Sequence, residues 1–113
     1  MKFHSTRDKS RLYSLQEASV MGLAPDGGLF MPEYIPQINM SEVLKLAQYS
    51  FADMSSHIAS LFFKDSITPL QVDEAIKKAL SFEVPLVKAG PYYTLELFHG
   101  PTYAFKDFGA RFM

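Results

Sequence analysis

The sequence predicts a small α+β domain that is mostly helical and carries a short β-hairpin and an edge strand. Two segments combine a helix-capping pattern with apolar residues at helical spacing, and a third shows the helical spacing alone. A segment near the carboxyl end alternates apolar and polar residues beside a Gly-Pro turn, as a strand does. The 113 residues suffice for one domain with a modest core. We expect four helices and two or three short strands.

The first elements are an edge strand over residues 2–6 and a helix that begins after Ser14. Ser14 and Glu17 have the spacing of a capping box, in which each side chain accepts a hydrogen bond from the other's backbone N–H. Gly22 is suited to the position that follows the helix. The expected buried residues of this helix are Leu15, Ala18 and either Val20 or Met21.

Residues 23–36 cannot form regular helix, because prolines and glycines recur through them. Asp26, Gly27 and Gly28 predict a tight turn that requires a positive φ. The large apolar side chains of this loop are expected to pack against another part of the molecule. They are Leu29, Phe30, Met31, Tyr34 and Ile35.

Three more helices are predicted over residues 41–49, 53–63 and 69–80. The last has Thr68 as N-cap, a proline at its first position and Gln71 at its third. The expected buried residues of the three helices are Val43, Leu44, Ala47, Met54, Ile58, Leu61, Phe62, Leu70, Val72, Ala75, Ile76 and Ala79.

A β-hairpin is predicted from residues 86–88 and 92–97, which flank an Ala-Gly-Pro turn. Thr94 and Glu96 alternate with Leu95 and Leu97, so one face of the second strand is expected to be in contact with water.

Composition excludes several classes of function. Lys and Arg total 11 against 12 Asp and Glu, so no field of one sign favours nucleic acid or an anionic membrane. Cysteine is absent, which excludes disulfides and thiolate metal sites. The amino terminus lacks the apolar core of a signal peptide, and a cytoplasmic protein is expected.

Lys106 is the main candidate for chemistry. It follows the second strand of the hairpin and a Gly-Pro turn, and Phe105 and Phe108 are close in sequence. An amine attacks an aldehyde only when it is neutral, and an apolar site favours the neutral form. The commoner role of a lysine beside aromatics is to lay its stem on apolar surface and keep its charge in water.

Two further residues are weaker candidates. His99 could act as a general acid or bind a phosphate, or it could hydrogen-bond a backbone group at the strand end. Thr102 could donate its hydroxyl proton to an anion, or it could stabilise the turn. His4 and His57 lack partners at metal-ligand spacing, so no metal site is predicted. Asp107 is expected in the first turn of a carboxyl-terminal helix, near the positive end of its dipole.

Two motifs and the first strand resemble the threonine synthase family. Residues 95–108, Leu-Glu-Leu-Phe-His-Gly-Pro-Thr-Tyr-Ala-Phe-Lys-Asp-Phe, resemble the lysine motif of that family. Residues 22–32, Gly-Leu-Ala-Pro-Asp-Gly-Gly-Leu-Phe-Met-Pro, resemble its amino-terminal signature, and residues 1–7 its first strand. The family uses pyridoxal 5′-phosphate (PLP) and belongs to the tryptophan-synthase-like fold group.

The resemblance implies an activity and a set of site residues. Lys106 would hold PLP as an internal aldimine and carry protons between substrate carbons, and Phe105 would pack beside the cofactor ring. The implied reaction converts O-phosphohomoserine and water to threonine and phosphate. His99 and Thr102 would lie in the wall of the substrate site.

The resemblance also predicts the organisation of the chain. Residues 1–98 would be the amino-terminal domain, and residues 99–113 would begin the PLP-binding α/β domain, truncated just past the lysine. The sequence contains no glycine-rich phosphate motif. We therefore expect the fragment to be inactive and to bind PLP poorly. Its last 15 residues are expected to be mobile or to self-associate through exposed aromatic rings. These rings are Phe98, Tyr103, Phe105, Phe108 and Phe112.

Two other interpretations remain open. One is another PLP-dependent lyase of the same fold group, such as a threonine dehydratase-like enzyme, although the motif at residues 22–32 argues against it. The other is an interaction module without chemistry.

Overall fold

The computed structural model describes residues 1–63 and 65–113, which form a small α+β domain, as predicted. The helices are α1 (Leu15–Met21), α2 (Met40–Leu46), α3 (Phe51–Phe63), α4 (Pro69–Ala79) and α5 (Asp107–Phe112). The strands are β1 (Phe3–Ser5), β2 (Leu12–Tyr13), β3 (Phe30–Pro32), β4 (Leu86–Ala89) and β5 (Tyr92–Leu95). In this part of the chain, every helix is too short or too polar to cross a bilayer.

The first strand is the centre of a three-stranded antiparallel sheet with the order β2-β1-β3, and not an edge strand as expected. Phe3 pairs with Tyr13 on one side and with Pro32 on the other. Neither neighbouring strand was predicted. The two residues of β2 are too few to show a period, and the proline in β3 disfavours a strand. Pro32 is tolerated because β3 lies at an edge. The rings of Tyr13 and Phe30 pack edge to face, 5.0 Å apart.

The tight turn at residues 26–28 is confirmed, with Gly27 at φ 77°. Asp26 Oδ1 accepts hydrogen bonds from Ser5 Oγ (2.7 Å) and from the backbone N–H of Gly28 (2.9 Å). The expected packing of the loop is wrong for four of its five large apolar residues. Only Phe30 is half-buried, because it alone faces Tyr13. The exposed residues are Leu29, Met31, Tyr34 and Ile35.

The predicted capping box at Ser14 and Glu17 is confirmed, and the predicted N-cap Thr68 forms a second capping box with Gln71. The predicted buried faces of the two seven-residue helices are mostly wrong. Helix α1 buries Ala18 alone, and α2, which is capped by Asn39, buries Leu46 alone. Two turns of helix touch the rest of the domain along a narrow stripe, so most apolar residues stay outside it. The exposed ones are Val20, Met21, Val43, Leu44 and Ala47.

Helices α3 and α4 form the main packed pair. Val72, Ile76 and Ala79 of α4 are buried as predicted, whereas Leu70 is 67% exposed because it lies in the first turn, outside that stripe. The other residues predicted to be buried on these two helices are only half-buried, because one face of α3 has no helix beside it in the part of the chain that the structure describes; they are Met54, Ile58, Leu61, Phe62 and Ala75. Ser56 Oγ on α3 donates to Asp73 Oδ1 on α4 at 2.9 Å. The predicted hairpin is confirmed as β4 and β5, but its residues are exposed on both faces, so the expectation of a single wet face is wrong.

Helix α5 packs back onto the end of α4. Arg111 Nε donates to the carbonyl oxygen of Ala79 and Arg111 Nη2 to that of Lys78, both at 2.8 Å. The ring of Phe108 lies 5.0 Å from that of Phe82 and the ring of Phe112 lies 5.6 Å from that of Phe63. Two of the five tail aromatics, Phe108 and Phe112, therefore pack on phenylalanine rings outside the tail. Phe98, Tyr103 and Phe105 are exposed.

Candidate functional site

Lys106 is the last residue of the loop that joins β5 to α5. Its backbone is already helical, with φ −59° and ψ −22°, and its carbonyl oxygen accepts the helical hydrogen bond from Ala110. Its side chain is exposed, as is that of Phe105 (67%), while Phe108 turns away to pack on Phe82. The apolar setting expected from the sequence is therefore not assembled around Lys106 by the described residues.

The loop is closed by Asp107, whose side chain is buried (4% exposed). Asp107 Oδ2 accepts from the backbone N–H of Thr102 at 2.9 Å, and Oδ1 accepts from Thr102 Oγ1 at 2.7 Å. The hydroxyl of Thr102, followed by its backbone amide, holds the pKa of Asp107 below its usual range. Two turns within the loop are closed by backbone hydrogen bonds from Tyr103 to Gly100 and from Asp107 to Ala104.

Thr102 stabilises the turn, which was one of its two predicted roles. Because its hydroxyl proton is donated to Asp107, only the oxygen lone pairs and the methyl group are left to face a ligand. A role at a substrate site remains a prediction for this residue.

His99 precedes the loop and is partnered by a side chain, not by a backbone group. Its Nε2 lies 2.6 Å from Glu96 Oε2, and its ring stacks on Phe98 at 4.7 Å. The carboxylate orients the imidazole and leaves Nδ1 as the second polar atom of the ring. The general-acid and phosphate-binding hypotheses therefore remain open for His99.

The sequence analysis did not predict that Glu96 and Asp107 shape the geometry of this site. Glu96 was assigned to the water-exposed face of a strand. Its i,i+3 spacing from His99 could have indicated the contact between the two side chains. The five-residue separation of Thr102 and Asp107 matches neither the helical nor the strand period. The described residues contain no cluster of three or more potential metal ligands.

Comparisons with known proteins place these features in one family. The family model described as "Threonine synthase N terminus" matches residues 2–80. The threonine synthase of Escherichia coli is 36% identical over 114 residues, which are all of this chain and 27% of that protein. The yeast enzyme, from Saccharomyces cerevisiae, is 38% identical over 124 residues, which include 98% of this chain and 24% of that protein. The chain thus spans about a quarter of the length of the curated relatives it matches.

Solved structures agree with the sequence comparisons. The crystal structure of the Escherichia coli threonine synthase superimposes with a TM-score of 0.94 at 35% identity, over 99% of this chain and 26% of that one. The crystal structure of PLP-bound threonine synthase from Brucella melitensis superimposes with a TM-score of 0.86 at 33% identity, over 95% of this chain and 24% of that one.

Proposed function

The chain belongs to the threonine synthase family, and we propose that it is the amino-terminal part of an enzyme that converts O-phosphohomoserine and water to threonine and phosphate with PLP. The observation that carries this proposal is the placement of Lys106. A single exposed lysine ends a loop that hydrogen bonds hold closed, in a chain whose relatives are threonine synthases. A threonine dehydratase-like lyase is disfavoured, because the matched relatives are threonine synthases over the whole chain.

The residues present fit the carbonyl end of PLP. A primary amine is the group that suits an aldehyde, and Lys106 is exposed and directly follows the exposed Phe105 in the chain. When bound, PLP supplies an electron sink that stabilises negative charge on substrate carbons. Lys106 holds the cofactor and moves protons at Nζ, and Phe105 packs against the cofactor ring. His99 and Thr102 form part of the wall of the substrate site.

The domain organisation follows from the same proposal. Residues 1–98 form the amino-terminal domain and residues 99–113 open the PLP-binding domain. Activity belongs to a protein of the length of its relatives, acting in threonine biosynthesis in the cytoplasm, and residues 1–113 alone are inactive.

The test is to replace the corresponding quarter of the Escherichia coli enzyme by this chain, which gives a protein called here the fused enzyme. Threonine formation, phosphate release and the lysine that carries borohydride-trapped PLP are measured for wild type, Lys106→Ala and Lys88→Ala. We expect Lys106→Ala to lower turnover by at least about 1000-fold, because it removes both the attachment point and the proton carrier. Lys88→Ala, which removes an exposed lysine of β4, should keep wild-type turnover.

Two results would overturn the proposal. One is near-normal turnover in Lys106→Ala. The other is failure of the wild-type chain to support threonine formation, both in the fused enzyme and when co-expressed with the remaining three quarters of the Escherichia coli protein.

A further inference from the structure

We propose that Asp107 is a positioning residue of the reaction, which acts by holding the loop of residues 100–106 so that Lys106 Nζ is presented in one direction. This inference rests on the proposed function of Lys106. Asp107 itself touches neither cofactor nor substrate in this proposal, and its effect passes through Thr102 and the backbone of the loop.

The first support is the pair of hydrogen bonds that Asp107 accepts from Thr102. One oxygen of its buried carboxylate accepts from the backbone N–H of Thr102, and the other accepts from the hydroxyl group of the same residue. One side chain thus clamps both polar groups of a residue five positions earlier. Because a carboxylate can only accept hydrogen bonds, both protons of Thr102 must point at it, which fixes the rotamer of Thr102 and the plane of its peptide.

The second support is the packing of Gly100. A Cβ added to this buried glycine would lie 2.7 Å from Asp107 Cβ and 2.9 Å from its Cγ. The backbone at Gly100 therefore rests directly on the aspartate side chain, with no room for a side-chain carbon at residue 100. The length of the Asp107 side chain is constrained as well, because its two oxygens already lie 2.9 and 2.7 Å from their donors on Thr102.

The third support is backbone strain in the same loop. Among the residues that the structure describes, Tyr103 is the one non-glycine residue with a positive φ (57°), although its side chain is 81% exposed. A bulky residue adopts this conformation at a cost, and keeps it only where surrounding contacts impose it. Its neighbour Thr102 is the residue that Asp107 clamps, so the clamp accounts for the strain.

These contacts bear on Lys106 through the chain. Lys106 is bonded to Asp107, and the hydrogen bond from Asp107 N–H to the Ala104 carbonyl closes the turn that contains it. Release of the aspartate side chain would free both turns of the loop and leave the direction of the lysine undefined. Misplacement of a reacting group by about 1 Å is enough to lower a rate by about 100-fold.

The experiment compares three replacements of Asp107 in the fused enzyme. Asp107→Ala removes the clamp, and Asp107→Glu keeps the charge but adds a methylene group, which moves the carboxylate out of the position in which it bonds both groups of Thr102. Asp107→Asn keeps the shape, since its amide oxygen can accept from the Thr102 N–H while its NH₂ donates to the Thr102 hydroxyl oxygen. Asp53→Asn is the matched control, because Asp53 also lies in the first turn of a helix and accepts from a hydroxyl group, that of Ser50.

We expect kcat to fall about 100-fold in Asp107→Ala and in Asp107→Glu, with KM changed less than threefold. Asp107→Asn should recover most of the lost kcat, and Asp53→Asn should match wild type. Wild-type kcat in Asp107→Glu, or a fall confined to KM, would overturn the positioning role. A loss of kcat in Asp107→Asn as large as that in Asp107→Ala would also overturn it.

A second measurement separates this inference from the proposed function. Amide hydrogen exchange at Thr102 and Tyr103 is followed in the 113-residue chain, without cofactor or substrate. Asp107→Ala should accelerate exchange at Thr102 at least tenfold, and Asp107→Asn should not. Unchanged exchange in Asp107→Ala refutes the clamp, whereas a wild-type fused enzyme that forms no threonine counts against the proposed function alone.

Discussion

Asp26 and Asp107 each hold a turn of this chain by accepting hydrogen bonds from a hydroxyl group and a backbone N–H. Asp26 holds the turn that follows α1, through Ser5 and Gly28, and Asp107 holds the loop before α5, through Thr102. The donors lower the pKa of both aspartates, the Gly28 amide first at Asp26 and the Thr102 hydroxyl first at Asp107. Each carboxylate is therefore more stable as an anion in the folded chain than in the unfolded one.

The pH dependence of stability follows from the sign of the shift at Asp26. A carboxyl group with a folded-state pKa below its unfolded value stabilises the fold above about pH 4, and this contribution is lost as pH falls through the folded pKa. Asp26→Asn should therefore be less stable than wild type at pH 7, and the difference should shrink toward pH 2. Urea unfolding at a series of pH values measures it.

Glu74→Gln is the control for the loss of one negative charge, because Glu74 is an exposed residue of α4. If the difference between wild type and Asp26→Asn were the same at pH 2 and pH 7, the hydrogen bonds to Ser5 and Gly28 would not be the cause of the stabilisation.

A hydrogen-bond partner can be predicted from the sequence when it lies nearby in the chain, at the spacing of a regular element. Ser14 with Glu17 and Thr68 with Gln71 are such pairs, and the structure contains both capping boxes. The hydroxyl donors to Asp26 and Asp107 lie 21 and 5 positions earlier, at spacings that no regular element produces. Their roles therefore emerge only when the backbone path is known.

At the scale of elements, Arg111 anchors α5 to the end of α4, in addition to the ring contacts of Phe108 and Phe112. Arg111 donates from Nε and Nη2 to the carbonyl oxygens of Ala79 and Lys78, at the end of α4 where helical carbonyls lack partners. The guanidinium group thus acts as a cap for α4 and as an anchor for α5. A six-residue helix is too short to persist without such tertiary contacts.

Replacement of Arg111 by alanine should lower the free energy of unfolding by about 1–2 kcal/mol, because the charge-assisted hydrogen bonds to Ala79, Lys78 and Ser81 are lost. Amide exchange across α5 should rise by more than it does elsewhere in the chain. Arg111→Lys is the sharper variant, since it keeps the charge but lacks the planar group that reaches two carbonyls at once. Wild-type protection of α5 in Arg111→Lys would show that charge alone suffices and that the paired geometry is not required.

Helices and the hairpin were predictable as elements, but the three-stranded sheet was not. Strand β2 has two residues and β3 has three, too few for an alternating pattern to stand out. Which face of a helix is buried depends on what lies beside it. For α4 the partner is the 13-residue α3, so three of the five residues predicted to be buried are buried, namely Val72, Ile76 and Ala79. For α1 and α2 the partner surface is small, and the predicted stripes fail.

At the scale of the whole molecule, the chain is more open than its apolar composition suggests. Its radius of gyration is 16.3 Å, whereas a compact domain of similar length measures about 13 Å. Hydrophobic residues make up 48% of the sequence, yet many large ones are exposed, including Leu29, Tyr92 and Phe105. Composition predicts that apolar surface exists, but it does not say whether another segment of the same chain covers it. The candidate site shows the same division, because the motif predicts a role for Lys106 but does not predict which residues surround it.

The exposure of Lys106 leads to a prediction about the 113-residue chain by itself. Lys106 and Lys88 are both exposed, so neither amine is distinguished from ordinary surface lysines by its surroundings. Incubation with PLP followed by borohydride reduction and peptide mass analysis should therefore place comparable label on both. In the fused enzyme, label should concentrate on Lys106, because the remaining three quarters of the protein would fix the rest of the cofactor. Stoichiometric labelling of Lys106 alone in the 113-residue chain would contradict this. It would mean that the loop clamped by Asp107, and not the larger protein, makes this lysine selective for PLP.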